Sequence, residues 1–165
     1  MALLRRRRFT RTSGGDYQVR LRDEERAILA TLPDQFDALV SSGATPATVR
    51  LFPPAYSDQP EFDAEYRRLM GDELVRRRRA ALATVRGTLG RDRLTEDELQ
   101  AWVGMCNDLR LVLGTLLDVS EDRDVLDVDR SAEDLPQRVL YVLLSEIVDE
   151  GVHALAQGLA PRAGA

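Results

Sequence analysis

The stretch Thr95–Asp118, TEDELQAWVGMCNDLRLVLGTLLD, constrains this chain more than any other. Leu99, Trp102, Cys106, Leu109, Leu113 and Leu116 recur three and four residues apart, which puts all six on one side of an α-helix. Thr95 followed by Glu98 is a capping box, in which each side chain satisfies a free backbone N–H at the helix start. Gly104, Asn107, Arg110 and Gly114 fall on a neighbouring stripe, so small and polar groups border the apolar seam. The other helices are expected to be arranged around this one.

A chain of 165 residues is long enough to bury a real core as a single domain, 1–165. No apolar run approaches the roughly 18 residues of a membrane span, and Leu3-Leu4 is too short for a secretory leader. One cysteine excludes an intramolecular disulfide framework and fits a reducing cytoplasm. All 23 basic residues are arginine, in keeping with a G+C-rich coding bias. Without lysine there is no Schiff-base nucleophile and no phosphate-loop lysine. A lone histidine, His153, and a lone cysteine cannot assemble a Cys/His zinc site from a single chain. No nucleophile elbow or glycine-rich phosphate turn is present. The expectation is a protein that is not an enzyme and carries no cofactor or metal.

The net charge of −5 hides an asymmetry. Thr95–His153 holds 15 acids and 4 arginines, the remainder 13 acids and 19 arginines. Two faces of opposite sign suit an oriented partner or a head-to-tail association, although each half can also simply solvate its own helices.

Taken in order, residues 1–22 read as a β-hairpin turning at Ser13-Gly14-Gly15-Asp16, with Phe9, Tyr17, Val19 and Leu21 buried. Arg5, Arg6, Arg7 and Arg8 lead into it, either as a solvated end or as a phosphate-binding arm. Residues 23–41 form a helical unit with acids in its first turn, which Pro33 is expected to kink or split. Residues 42–60 are a Pro-rich loop anchored by Leu51, Phe52 and Tyr56; Pro53-Pro54-Ala55-Tyr56 matches the PPxY ligand of WW domains, a weak signal.

Helices are expected over 61–90, capped by Asp58, with Phe62, Tyr66, Leu69 and Met70 on one face and a weak middle at Gly71-Asp72. Arg76–Arg79 sweep most of the helix circumference, so they suit a salt-bridged surface, with Asp72–Arg76 and Glu73–Arg77 in the favourable order, better than a single DNA groove. Asp127, Asp129 and Ser131 mimic the start of an EF-hand, but Ala132 and Arg138 stand where glycine and a bidentate glutamate are needed. The last helix, 133–157, is apolar on every side over Val139–Leu144, which implies burial all round or a subunit contact.

Cys106 reads two ways: a small buried hydrophobe, or a redox thiol at an interface, which lacks a second thiol for an intramolecular switch. Asn107 and Arg110 likewise form either a structural tie, with Arg110 reaching Asp108 or a loop carbonyl, or a polar recognition spot.

Three stretches together carry a likeness: Arg50-Leu51-Phe52-Pro53-Pro54-Ala55-Tyr56, Glu65-Tyr66-Arg67-Arg68-Leu69, and Asn107-Asp108-Leu109-Arg110-Leu111 with Leu113-Gly114-Thr115. In these the chain resembles an actinobacterial domain-of-unknown-function family of AosR-like oxidative-stress transcriptional regulators. The resemblance implies a cytoplasmic regulator whose partner is a sigma factor or RNA polymerase. It makes Tyr56, Arg67 and Arg68, beside Asn107 and Arg110, the candidates for partner recognition.

The expected fold is therefore mainly α: a compact bundle of four to five helices with a short N-terminal β-hairpin, and helices at about 96–118 and 134–156 as the central pair. The expected function is non-enzymatic regulation by a homodimer associating through its apolar helices. The alternative is direct DNA binding through Arg5–Arg8 and Arg76–Arg79.

Overall fold

The computed structural model describes residues 7–43, 45–56, 58–119, 125 and 131–159. Its elements are β1 (Phe9–Arg11), β2 (Tyr17–Val19), α1 (Asp23–Ser41), α2 (Pro60–Thr88), β3 (Arg93–Leu94), α3 (Glu96–Leu116) and α4 (Leu135–Leu159). The fold is mainly α, with four helices and one small antiparallel sheet among the described residues.

The helix α3 starts where its capping box sets it: the Glu98 N–H donates to Thr95 Oγ1 at 3.3 Å and the Thr95 N–H to Glu98 Oε2 at 2.9 Å. It packs most extensively on α4, with α2 on another side. Contact with two helices widens its buried arc, so Met105 and Val112 join Leu99, Trp102, Cys106 and Leu109 in the core. Leu113 is only half-buried and Leu116, in the last turn, is 62% exposed, so the expected six-residue seam ends early. The Trp102 indole N–H, which burial would otherwise leave unpaired, donates to Thr88 Oγ1 at 2.8 Å and ties α3 to the end of α2.

The hairpin has the expected strands, paired Phe9 with Val19 and Arg11 with Tyr17. Gly15 adopts φ 95° in its turn, a conformation glycine reaches without a Cβ clash. A third strand, β3, adds to β2 with Tyr17 opposite Leu94, an element too short to show a period. Phe9, Tyr17, Val19 and Leu94 face the helices and are buried.

Two helices differ from expectation. Pro33 does not split or restart α1: one helix runs from Asp23 to Ser41. Proline inside a helix costs about 3 kcal/mol. Leu29, Leu32, Phe36 and Val40 are buried on both sides of it, and each contributes about 1.5–3 kcal/mol on burial, which outweighs that cost. Likewise α2 is a single helix of 29 residues, about 44 Å long, that passes through Gly71 without a break. Only its second half reaches the core, through Leu82, Val85 and Thr88. Its N-cap is Gln59 with no side-chain cap, so Asp58 does not play the expected part. The EF-hand-like Asp127 and Asp129 lie outside the described residues.

Candidate functional site

The site forms where the Pro-rich loop docks on α2 and α3. Arg78, on α2, reaches across both. Its Nε donates to Asp108 Oδ2 at 3.0 Å, its Nη2 to the Leu51 carbonyl at 2.7 Å, and its guanidinium carbon stands 5.2 Å from the Phe52 ring centroid. The Asp108 carboxyl is held above the usual carboxylate range because burial outweighs the charge of Arg78. Leu51 fills the core beneath. The expected anchor was Arg110; the structure gives that part to Arg78, and Arg110 instead donates to Asn107 Oδ1 at 2.8 Å on its own helix.

A second tie holds the far end of the loop. Asp63, the one buried residue in the first half of α2, accepts the Ala55 N–H at 2.7 Å and pairs with Arg67 at 2.9 Å. The loop's Tyr56 then lies against Phe62 and Tyr66, with ring centroids 6.4 Å and 6.1 Å away. Between loop and helix runs a groove of about 230 Å³ walled by Phe52, Pro53, Tyr66, Met70 and Leu74. At Gly114 a Cβ would stand 3.3 Å from Tyr141 Cε2 and 3.7 Å from Arg50 Nη1, so the glycine lets the start of the loop and α4 close on α3. Of the expected recognition residues, Tyr56 and Arg67 lie at this exposed edge and Arg68 is exposed elsewhere on α2, beside Glu65; Asn107 and Arg110 are half-buried on α3.

The face Phe62–Tyr66–Leu69 does not pack on the core. Phe62 is 60% and Leu69 63% exposed. Its spacing is that of a core stripe, and nothing in the sequence distinguishes the two.

Among the described residues, Arg8 and Arg76–Arg79 are paired with acids. Arg8 is 4% exposed: its guanidinium donates to Glu25 and Glu146 at 2.7 Å and to Glu150 at 2.5 Å, joining the hairpin to α1 and α4. A guanidinium this buried and enclosed by three carboxylates is closed to a phosphate, which removes Arg8 from the expected nucleic-acid contacts. Arg7 is exposed, and Arg5 and Arg6 lie outside the described residues. Burial opposes the charge of Glu25, but hydrogen bonds from Arg22 and Arg8 more than offset it and bring its pKa to about 2. On α2, Arg76 and Arg77 both pair with Glu73, and Arg79 pairs with Asp37 at 3.3 Å. Arg76 takes Glu73 in place of the expected Asp72. The sequence signal for the Arg8 cluster is Glu146 and Glu150, two acids four residues apart and therefore on one face of α4.

Cys106 is fully buried and unbridged, and burial pushes its thiol up to about 12. Among the described residues no group of three His, Cys, Asp or Glu side chains is placed to hold a metal ion, and no helix is long and apolar enough to cross a membrane.

A family described as a domain of unknown function, DUF2017, matches residues 6–155. The chain belongs to this family. A DUF2017 identity leaves activity open, but curated relatives carry a more specific name. The oxidative stress regulator AosR of Mycobacterium tuberculosis (strain ATCC 25618 / H37Rv) is 38% identical over 71 residues, 41% of this chain and 33% of the relative. The oxidative stress regulator AosR of Mycobacterium bovis matches to the same extent. The match thus spans about a third of the length of these relatives. No solved structure is similar to the chain.

Proposed function

We propose that this DUF2017 chain is a non-enzymatic, cytoplasmic regulatory protein that acts through contacts with other proteins, in the manner of an oxidative-stress transcriptional regulator working with a sigma factor and RNA polymerase. The observation that carries this reading is the 38% identity to relatives named as oxidative stress regulators. The site is compatible with it: Tyr56, Arg67 and Arg68 are all exposed, and Asp63, which pairs with Arg67, accepts the Ala55 N–H that holds the loop on α2. The same reading includes a homodimer. Direct DNA binding is the weaker alternative, because Arg8 and Arg76–Arg79 are already engaged by acids.

The test uses the purified chain, immobilised and exposed to RNA polymerase core, to holoenzyme and to duplex DNA over a salt series. Retention of a sigma factor or polymerase, lost on Tyr56→Ala with Arg67→Ala, is expected. Retention of DNA alone, with log affinity falling linearly against log salt, would replace this reading by the DNA-binding one.

A further inference from the structure

Phe62, Tyr66 and Leu69 stand at i, i+4 and i+7 on the first half of α2 and are 60%, 37% and 63% exposed. Tyr56 from the docked loop enlarges this patch. An apolar stripe at helical spacing is ordinarily the covered face of a helix, and here no described part of the chain covers it. On its flank Glu65 and Arg68 are 62% and 74% exposed in their side chains and approach each other only to 3.8 Å. The acids Glu61, Asp63 and Glu65 all precede Arg67 and Arg68 along the helix.

We propose that the stripe is covered by a second copy of the chain, the two α2 first halves crossing antiparallel about a two-fold axis at Tyr66. This deepens the homodimer in the reading above by naming its surface. A two-fold pairs each residue with the one equally far beyond the axis. Tyr66 then meets Tyr66 of the second copy, and Phe62 meets the Leu69–Met70 turn of the second copy. In the same register Glu65 comes beside Arg68 of the second copy, on the flank away from the Asp63–Arg67 pair. Apolar groups and opposite charges match together, within one residue. A parallel pairing would instead set Glu65 against Glu65 and Arg68 against Arg68. Four partly exposed apolar side chains fall short of the ~800 Å² per partner of a standard stable interface, so the dissociation constant is on the order of micromolar.

Sedimentation velocity of the full chain from about 1 to about 500 µM should show a reversible monomer–dimer equilibrium. Phe62→Glu and Leu69→Arg should each weaken it at least about tenfold, while circular dichroism and unfolding midpoint stay unchanged because both sites are exposed. Glu65→Arg alone and Arg68→Glu alone should each weaken self-association about tenfold, since both symmetric ion pairs become repulsive. Mixing these two variants should restore a dimer, because both cross-copy pairs are then complementary; an ion pair within one chain cannot produce that result. A wild-type dimer indifferent to Phe62→Glu would overturn this surface and leave the homodimer standing. A monomer at every concentration would overturn both. A monomer that binds a sigma factor or polymerase through a Phe62-sensitive contact would assign the stripe to that partner, overturning self-association while leaving the regulatory reading intact.

Discussion

Replacing Arg8 by methionine keeps an apolar stem of similar length and removes the charge on which three carboxylates converge. In the native chain Glu25, Glu146 and Glu150 lie within 2.7 Å of its guanidinium, and the Arg8 N–H donates to Glu150 at 2.6 Å. Removing one member of a buried ion pair costs about 3–5 kcal/mol, chiefly because the other is left uncompensated. The displacement of Glu25 gives an independent scale. Its carboxyl falls from 4.5 to about 2, which corresponds to about 3 kcal/mol of stability held by Arg22 and Arg8 together. Arg22 survives the substitution and keeps its hydrogen bonds to Glu25, so the loss comes chiefly from the carboxylates left around the vacated guanidinium, and about 3 kcal/mol at pH 7 is expected. The pH dependence has a definite sign. A depressed carboxyl stabilises fully above its unfolded value of 4.5, and that contribution disappears as pH falls from 4.5 to about 2. The gap between wild type and Arg8→Met must therefore narrow over the same window. Urea unfolding followed by the fluorescence of Trp102, the single tryptophan and fully buried, measures this directly. A deficit under about 1 kcal/mol at pH 7, or one that stays constant down to acid, would refute the reasoning.

Cys106 should label slowly with thiol reagents in the native chain and rapidly in urea, with no covalent dimer on non-reducing gels after peroxide; fast native labelling would contradict its burial. At Gly151 a Cβ would overlap Val103 Cγ2 where α3 and α4 meet beside Phe9. Gly151→Ala should lower stability by about 1–3 kcal/mol despite a helix-propensity gain of about 1 kcal/mol, and Val103→Ala in the same chain should recover most of it.

Elements with strong local signals were readable from the sequence. The capping box of Thr95 and Glu98 and the glycine turn of the hairpin each specify a local conformation without help from the rest of the chain, whereas the run Val139–Leu144, apolar on every side, has only Leu144 buried and leaves Val139 51% exposed. What stayed hidden depended on distance. The sequence shows Pro33 as a kink or break and Gly71 as a weak point, because it cannot show how much burial lies on either side of Pro33. It shows Phe62, Tyr66 and Leu69 as a face but not whether anything covers them. It shows Arg8 as one of four arginines in a row, whereas three acids 17 to 142 residues away decide its role. Charge partners at such separations leave no period to read.

The absence of lysine bears on a further tie between distant segments, that of Arg78. Arg78 acts at once through Nε on Asp108, through Nη2 on the Leu51 carbonyl and through its planar face on Phe52. A lysine at this position keeps the charge but is a point donor with no planar face, so it can satisfy Asp108 or the carbonyl and not both in that geometry. Arg78→Lys should therefore lose one hydrogen bond, about 0.5–1.5 kcal/mol, and the stacking on Phe52, about 0.5–1 kcal/mol. Arg78→Met should lose more, since it also leaves Asp108 without a counter-charge. The loss is local: the segment 45–56, tied by Arg78 at one end and Asp63 at the other, should be cut by proteases faster in Arg78→Lys while the hairpin and α4 keep their protection. An Arg78→Lys chain within about 0.5 kcal/mol of wild type, with unchanged cleavage of this loop, would show that charge alone holds it and that the fork geometry is irrelevant.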